Sequence, residues 1–374
     1  MTIPVKLHFL AATVAAAALL SACTADGGNR GEAPDTDGTL RFTVSEHSSA
    51  STRSVPFTTT DQVFPYSEVF AVYAYHGTDT LIDGEEVKWR GWFWSTEENH
   101  YWPKDGSAVD IYGVYPGSVP VSAEVSGSST LTTIDYSVES DLSRQTDLLV
   151  TKAVNATEPP VRDVGVALDF RHAMSRISFE GRLSDEFEGW TVEVSGIRLC
   201  NIYAQGTFDY ATMTWRDCSA NSDYPVGLLT DDDGNVVITS LQPSAMTASD
   251  GAPMLIAQQH TPWDPATESI DGTSPSLNGE AQKPKTTGSY IAVDLHISRD
   301  IDGHRDMLGT AAEHVTAYAP ITPNWQPGKH YTYTLIFGGG YDPRGEHWLV
   351  NLETTTEIRD WGEGTAKTVE TLPN

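Results

Sequence analysis

Five aromatic residues, Trp89, Trp92, Trp94, Tyr101 and Trp102, form the densest group of side chains here with a chemical use. Period-two spacing puts Trp92 and Trp94 on one strand face, and with Trp102 they could stack on sugar rings. Packing inside a β core is the competing reading, because aromatics dominate such cores. Asp300, Asp302, His304 and Asp306 alternate, which would align four potential metal donors on one side of an extended segment. Asp302-Gly303 breaks that run as a turn, so no metal is expected. Asp231-Asp232-Asp233-Gly234-Asn235 lacks the alternating ligands and the distal bidentate Glu of a calcium loop, and reads as an acidic hairpin turn. The eleven histidines show no paired ligand spacing, and His172 reads as structural. Cys200 and Cys218 are candidates for a disulfide, which would stabilise by roughly 3 kcal/mol. Two buried free thiols are the alternative, decided by a Cα separation that spacing does not give. No Gly-x-Ser-x-Gly elbow, His-Glu-x-x-His pair or phosphate loop occurs. The expectation is a protein that is not an enzyme and carries no cofactor.

The third cysteine has a different setting. Phe9 to Leu20 is an apolar run of 12 residues preceded by Lys6 and followed by Ser21, Ala22 and Cys23. A bilayer span needs about 20 residues, so this run reads as a secretory signal rather than a membrane helix. Leu20-Ser21-Ala22-Cys23 resembles the lipobox of bacterial lipoproteins. That resemblance implies removal of residues 1–22 and lipidation of Cys23, with outer-membrane lipid as partner. Each buried methylene is worth about 0.8 kcal/mol, so two or three chains anchor where one would not. From Thr24 to Gly38 Ala is the single apolar type among Gly, Asp, Asn, Glu, Pro and Thr, a composition that leaves residues 23–38 an unstructured tether.

The elements that must position these side chains are strands. Leu40, Phe42 and Val44 alternate with polar residues. Val69 to Tyr75, Val109 to Tyr115, Val164 to Phe170, Tyr290 to Ile297 and Tyr331 to Phe337 are β-branched and aromatic. Asp83-Gly84, Asp105-Gly106, Asp233-Gly234 and Asp302-Gly303 favour hairpin turns. Short helical turns are expected only at Asp141 to Gln145 and Thr310 to His314. The chain is read as all-β, with two tandem antiparallel sandwiches over residues 39–158 and 159–374. A long loop over 261–288 falls in the second. The net charge of −28 excludes nucleic-acid and anionic-lipid surfaces as partners.

Several islands carry a family resemblance. Val69 to Tyr75, Tyr101-Trp102-Pro103, Asp110 to Pro116, Asp147 to Val150 and Leu168 to Ile177 are similar to blocks of the fimbrillins. So are Trp325 to Tyr331 and Ile358 to Trp361, with a partial match at Ala257-Gln258-Gln259. Fimbrillins are subunits of the type V pili of Bacteroides-like bacteria, with lipoprotein relatives. The resemblance implies two transthyretin-like sandwiches on the cell surface, acting as pilus subunit, tip adhesin or anchor. It also implies other fimbrial subunits as partners through β-strand exchange, and adhesion to a surface glycan or protein. In polymerising members a protease cuts after an arginine near the start and frees the first strand. Arg41 and Arg53 are the candidates here, and Leu40, Phe42 and Val44 are the side chains that would plug the groove. A glycan-binding surface lipoprotein that does not polymerise is the alternative.

Overall fold

Alternating runs and continuously apolar runs both become strands in this chain, and the difference records how many faces each strand buries. The computed structural model describes residues 38–46, 64–127, 129–159, 165–272, 283–300, 303–338, 340, 348–353, 357–361 and 367–368. The expected signal, Cys23 and Arg53 lie outside the described residues. The first nine strands are β1 (Phe42–Glu46), β2 (Phe70–His76), β3 (Asp79–Trp89), β4 (Trp94–Ser95), β5 (Val109–Tyr115), β6 (Ser122–Ser126), β7 (Ser129–Ser137), β8 (Leu149–Ala156) and β9 (Val166–His172). In the order β1-β4-β3-β2-β5-β8-β9 they close a barrel, and the β6–β7 hairpin leaves it.

The next group is β10 (Met174–Leu183), β11 (Thr191–Asp209), β12 (Thr214–Pro225), β13 (Val236–Ile238), β14 (Ser244–Ala245), β15 (Met254–Ile256) and β16 (Tyr290–Arg299). The last are β17 (Arg305–Leu308), β18 (Val315–Pro320), β19 (Lys329–Phe337), β20 (Trp348–Leu349), β21 (Asn351–Leu352), β22 (Glu357–Asp360) and β23 (Lys367–Thr368). One sheet runs β14-β10-β19-β22-β23, with β15 on β10 and β21 on β19. The other runs β20-β18-β16-β11-β7-β6, with β12 and β13 on β11 and β17 on β16. Among the described residues only the 3-10 turns Leu142–Arg144 and Asp185–Phe187 are helical, so the class is all-β.

There are two hydrophobic clusters. Leu40, Phe42, Phe70, Val72, Ile111, Leu149 and Phe170 fill the barrel. Ile177, Phe179, Val192, Val194, Val293, Leu295, Tyr333 and Leu335 draw both larger sheets into one core. β2 explains its own composition: Phe70, Val72 and Ala74 point into the barrel, while Ala71, Tyr73 and Tyr75 join the larger core. A strand buried on both faces has no polar side to alternate with.

Three expectations change. The sheets are mixed, because β1 runs parallel to β9, β10 to β19 and β18 to β20. Hairpin turn signals report only neighbouring antiparallel strands, whereas parallel partners are joined by long connections. The first core is a closed barrel rather than an open sandwich. Asp83-Gly84 is a bulge inside β3, where Val72 pairs with Glu85 and Tyr73 with Asp83, and the β2–β3 turn falls instead between His76 and Asp79. Strand pairing crosses residue 158, since β9 lies beyond it in the barrel and β7 before it pairs with β11. The described residues fall in one compact unit.

Candidate functional site

The chain's first described segment is held along both edges. On one side, the Leu40 N–H donates to the His100 carbonyl at 2.7 Å and the Trp102 N–H to the Gly38 carbonyl at 2.9 Å. On the other, the Val166 N–H donates to the Arg41 carbonyl at 2.7 Å, and all five residues of β1 pair in parallel with Val166 to Phe170. β4 adds a single pairing, Phe42 with Trp94. A Cβ on Gly165 would stand 2.7 Å from the Phe42 backbone, so the close approach of β1 to the start of β9 requires glycine.

Leu40 and Phe42 are fully buried, and Val44 packs partly buried against the same cluster. Each fully buried side chain contributes roughly 1.5–3 kcal/mol, and each ladder hydrogen bond about 0.5–1.5 kcal/mol. Arg41 stands between two buried residues, with its guanidinium 4.9 Å from the centre of the Phe93 ring. A protease reaches a bond there only after the segment has left its ladders, since cleavage favours exposed loop tips.

The aromatic platform is corrected. Trp94 (2% exposed) and Trp102 (7%) belong to the barrel core, and only Trp92 (42%) faces outward. β4 begins at Trp94, so Trp92 sits in the preceding bend and the two do not share a strand face. Trp94 packs instead against Phe64, Phe70 and Trp89, with ring centroids 5.5–5.9 Å apart. The glycan-stacking reading thereby loses two of its three rings.

The disulfide is corrected as well: Cys200 and Cys218 are free. Cys200 lies opposite Tyr290 on β16, whereas the Cys218 sulfur sits 3.3 Å from where a Gly206 Cβ would be. Six positions along β11 amount to roughly 20 Å, against a disulfide limit near 7 Å between Cα atoms. Burial, reinforced by Asp223, pushes the Cys200 thiol up to about 12.

The Asp231 turn satisfies itself. The Asp231 carboxylate accepts from the backbone N–H of Asp233 and of Asn235, each at 3.0 Å. In the 261–288 loop, Trp263 is buried, and its N–H donates to the Ser289 carbonyl at 2.9 Å. Thr286 donates to Glu268 at 2.6 Å and the Lys283 ammonium to the Pro265 carbonyl at 2.7 Å, so the described limbs are bound to each other.

Where the barrel meets the larger core, buried His172 is hydrogen-bonded to buried Asp147 and stacks on Trp361. Tyr210 donates to the Gly113 carbonyl at 2.8 Å, and the Trp215 indole to the Ala173 carbonyl at 2.6 Å. Spacing gives no hint of the link between Asp147 and His172, because Asp147 lies in the connection before β8 and His172 ends β9. The chain thus presents a two-core β fold with a terminal strand in the barrel wall, and a family model described as fimbrillin-like matches residues 52–361. The chain belongs to the fimbrillin-like family.

Among solved structures, this fimbrillin-like chain is similar to a fimbrial protein from Bacteroides vulgatus ATCC 8482. Identity is 12%, coverage is 86% of this chain and 99% of that one, and the TM-score is 0.54. It is also similar to a fimbrilin from Porphyromonas gingivalis W83, at 13% identity, 88% and 98% coverage and a TM-score of 0.44. No curated protein matches it. At such identity the first likeness speaks for the fold of this fimbrillin-like chain alone.

Proposed function

We propose that this chain is a fimbrillin-like surface lipoprotein that works as a structural subunit, tip adhesin or anchor of a fimbria. Residues 1–22 are removed, Cys23 carries lipid in the outer membrane, and the following residues tether the fold. The barrel and the larger core take the places of the two transthyretin-like sandwiches that the family resemblance implies, the first of them closed into a barrel. β1 is the exchangeable strand. Its removal opens a groove shaped for Leu40, Phe42 and Val44, and an extended segment of another fimbrial subunit fills it by strand addition.

One observation carries this reading: the segment that ends in the five-residue strand β1 completes the barrel wall while placing Leu40, just before the strand, and Phe42 in the core. Taking it out uncovers a full backbone edge on β9 and two apolar sockets together. Such an edge is an open template for pairing.

The test is amino-terminal sequencing of the protein shed from cells, alongside heat-stable ladders on SDS gels. An end just after Arg53 with ladders is expected for a polymerising subunit. A lipidated Cys23 on chains that co-purify with fimbriae is expected for an anchor. Chains that run at monomer mass and associate with no other subunit overturn strand exchange.

A further inference from the structure

Three neighbouring strands of the nine-stranded sheet bring together a group of side chains that spacing along the chain conceals. His296 on β16 is buried, and both of its nitrogens face carboxylates. Nδ1 lies 2.8 Å from the Glu193 Oε2 on β11, and Nε2 lies 2.7 Å from the Asp306 Oδ1 on β17. His304 repeats the pattern, with Nδ1 2.8 Å from the Asp300 Oδ1 and Nε2 3.0 Å from the same Asp306 oxygen.

We propose that His296, His304 and Asp306 form a binding site for a first-row divalent metal ion of the zinc class. Their ligand atoms lie within 4.8 Å of one another. The two Nε2 atoms converge on one carboxylate oxygen, as ligands around a shared cation do. Each Nδ1–H then donates outward to its own carboxylate, Glu193 for His296 and Asp300 for His304. A carboxylate on the far nitrogen fixes the tautomer and raises the basicity of a ligating imidazole, and metal-bound histidines almost always have such a partner. Two nitrogens and one oxygen, with a fourth position open to water or to a partner's side chain, suit zinc. The chain's net charge of −28 favours cation capture at its surface.

Register explains the assembly. Glu193 pairs directly across from His296, so both side chains stand on one face of the sheet. Asp306 pairs with Ser298, two residues along, and reaches the same face. The alternating Asp and His residues after β16 are therefore only half of the site, and His296 and Glu193 supply the rest. The contrast with Asp231 is instructive, since that carboxylate is already engaged by the backbone of its own turn. A bound ion would clip the exposed β17 edge to β16.

The test is calorimetric titration of the chelator-treated full chain with zinc chloride at pH 7.5, with cobalt(II) absorption as the second readout. One ion per chain and the visible band of tetrahedral cobalt are expected. Glu193→Gln weakens binding about 10- to 100-fold as an outer partner, and His304→Ala and Asp306→Asn weaken it further. Both His304 and Asp306 are exposed, so these variants keep the fold. His314→Ala leaves binding unchanged, although His314 can form a second grouping with Glu193 and His296. Absence of stoichiometric binding overturns the site. So does unchanged affinity in His304→Ala, or loss in His314→Ala alone.

Discussion

His172 and Trp361 lie face to face, with ring centroids 4.3 Å apart and planes 3° from parallel. The stack joins the last residue of β9, in the barrel, to the residue just after β22, in the seven-stranded sheet. Asp147 bonds the edge of the imidazole at Nδ1, and the Trp361 backbone N–H donates to the Gly328 carbonyl at 2.9 Å. A histidine fixed by a buried carboxylate thus becomes a platform for the chain's last large aromatic.

That platform predicts a large effect from one substitution. Trp361→Ala removes a buried indole and should cost about 3–5 kcal/mol, as for other large-to-alanine core changes. Urea denaturation of the full chain measures it. A loss below about 1 kcal/mol would show that the stack contributes little packing.

Acid sensitivity should centre on His330. It pairs with Arg176 on one side and Arg359 on the other, and its Nε2 lies 2.7 Å from the Ser178 hydroxyl. Burial first, then the two arginines, lower it from 6.5 to about 4. The unfolded chain therefore takes up a proton through pH 6.5 while the folded chain waits until about 4, so stability falls as pH drops across that window and levels off below it. The difference is on the order of 2 kcal/mol between pH 7 and 4.5. His330→Gln should flatten this part of the stability-versus-pH curve, and equal slopes in both proteins would refute the assignment.

The two neighbouring tryptophans should separate cleanly. Trp94→Ala should cost about 3–5 kcal/mol and Trp92→Ala within about 0.5 kcal/mol, because only the first is in the core. Chemical denaturation followed by circular dichroism compares them. Equal losses would mean that Trp92 is held by the fold as firmly as Trp94.

The cysteines should behave as separate thiols. Reductant should leave the intact mass unchanged. At pH 8 a thiol reagent should leave Cys200 unlabelled in the folded chain, since its thiol is pushed up to about 12, and label it on unfolding. A mass two hydrogens lighter before reduction would contradict the separation along β11.

Local pattern alone determined a good deal. Period-two runs and Asp-Gly punctuation identify an all-β chain, and the alternation of Leu40 and Phe42 marks the face that the barrel buries. The Asp231 turn and the 3-10 turn after Asp141 follow from side chains bonding to their own backbone, which a few residues suffice to encode. What tertiary structure decided is which distant strands meet. The parallel pairing of β1 with β9, the burial of Trp94 but not Trp92, the distance between Cys200 and Cys218, and the convergence of Glu193, His296 and Asp306 all depend on register between remote segments. Alternation sets only which side of a strand a residue faces, while the packing of whole sheets chooses what lies opposite it.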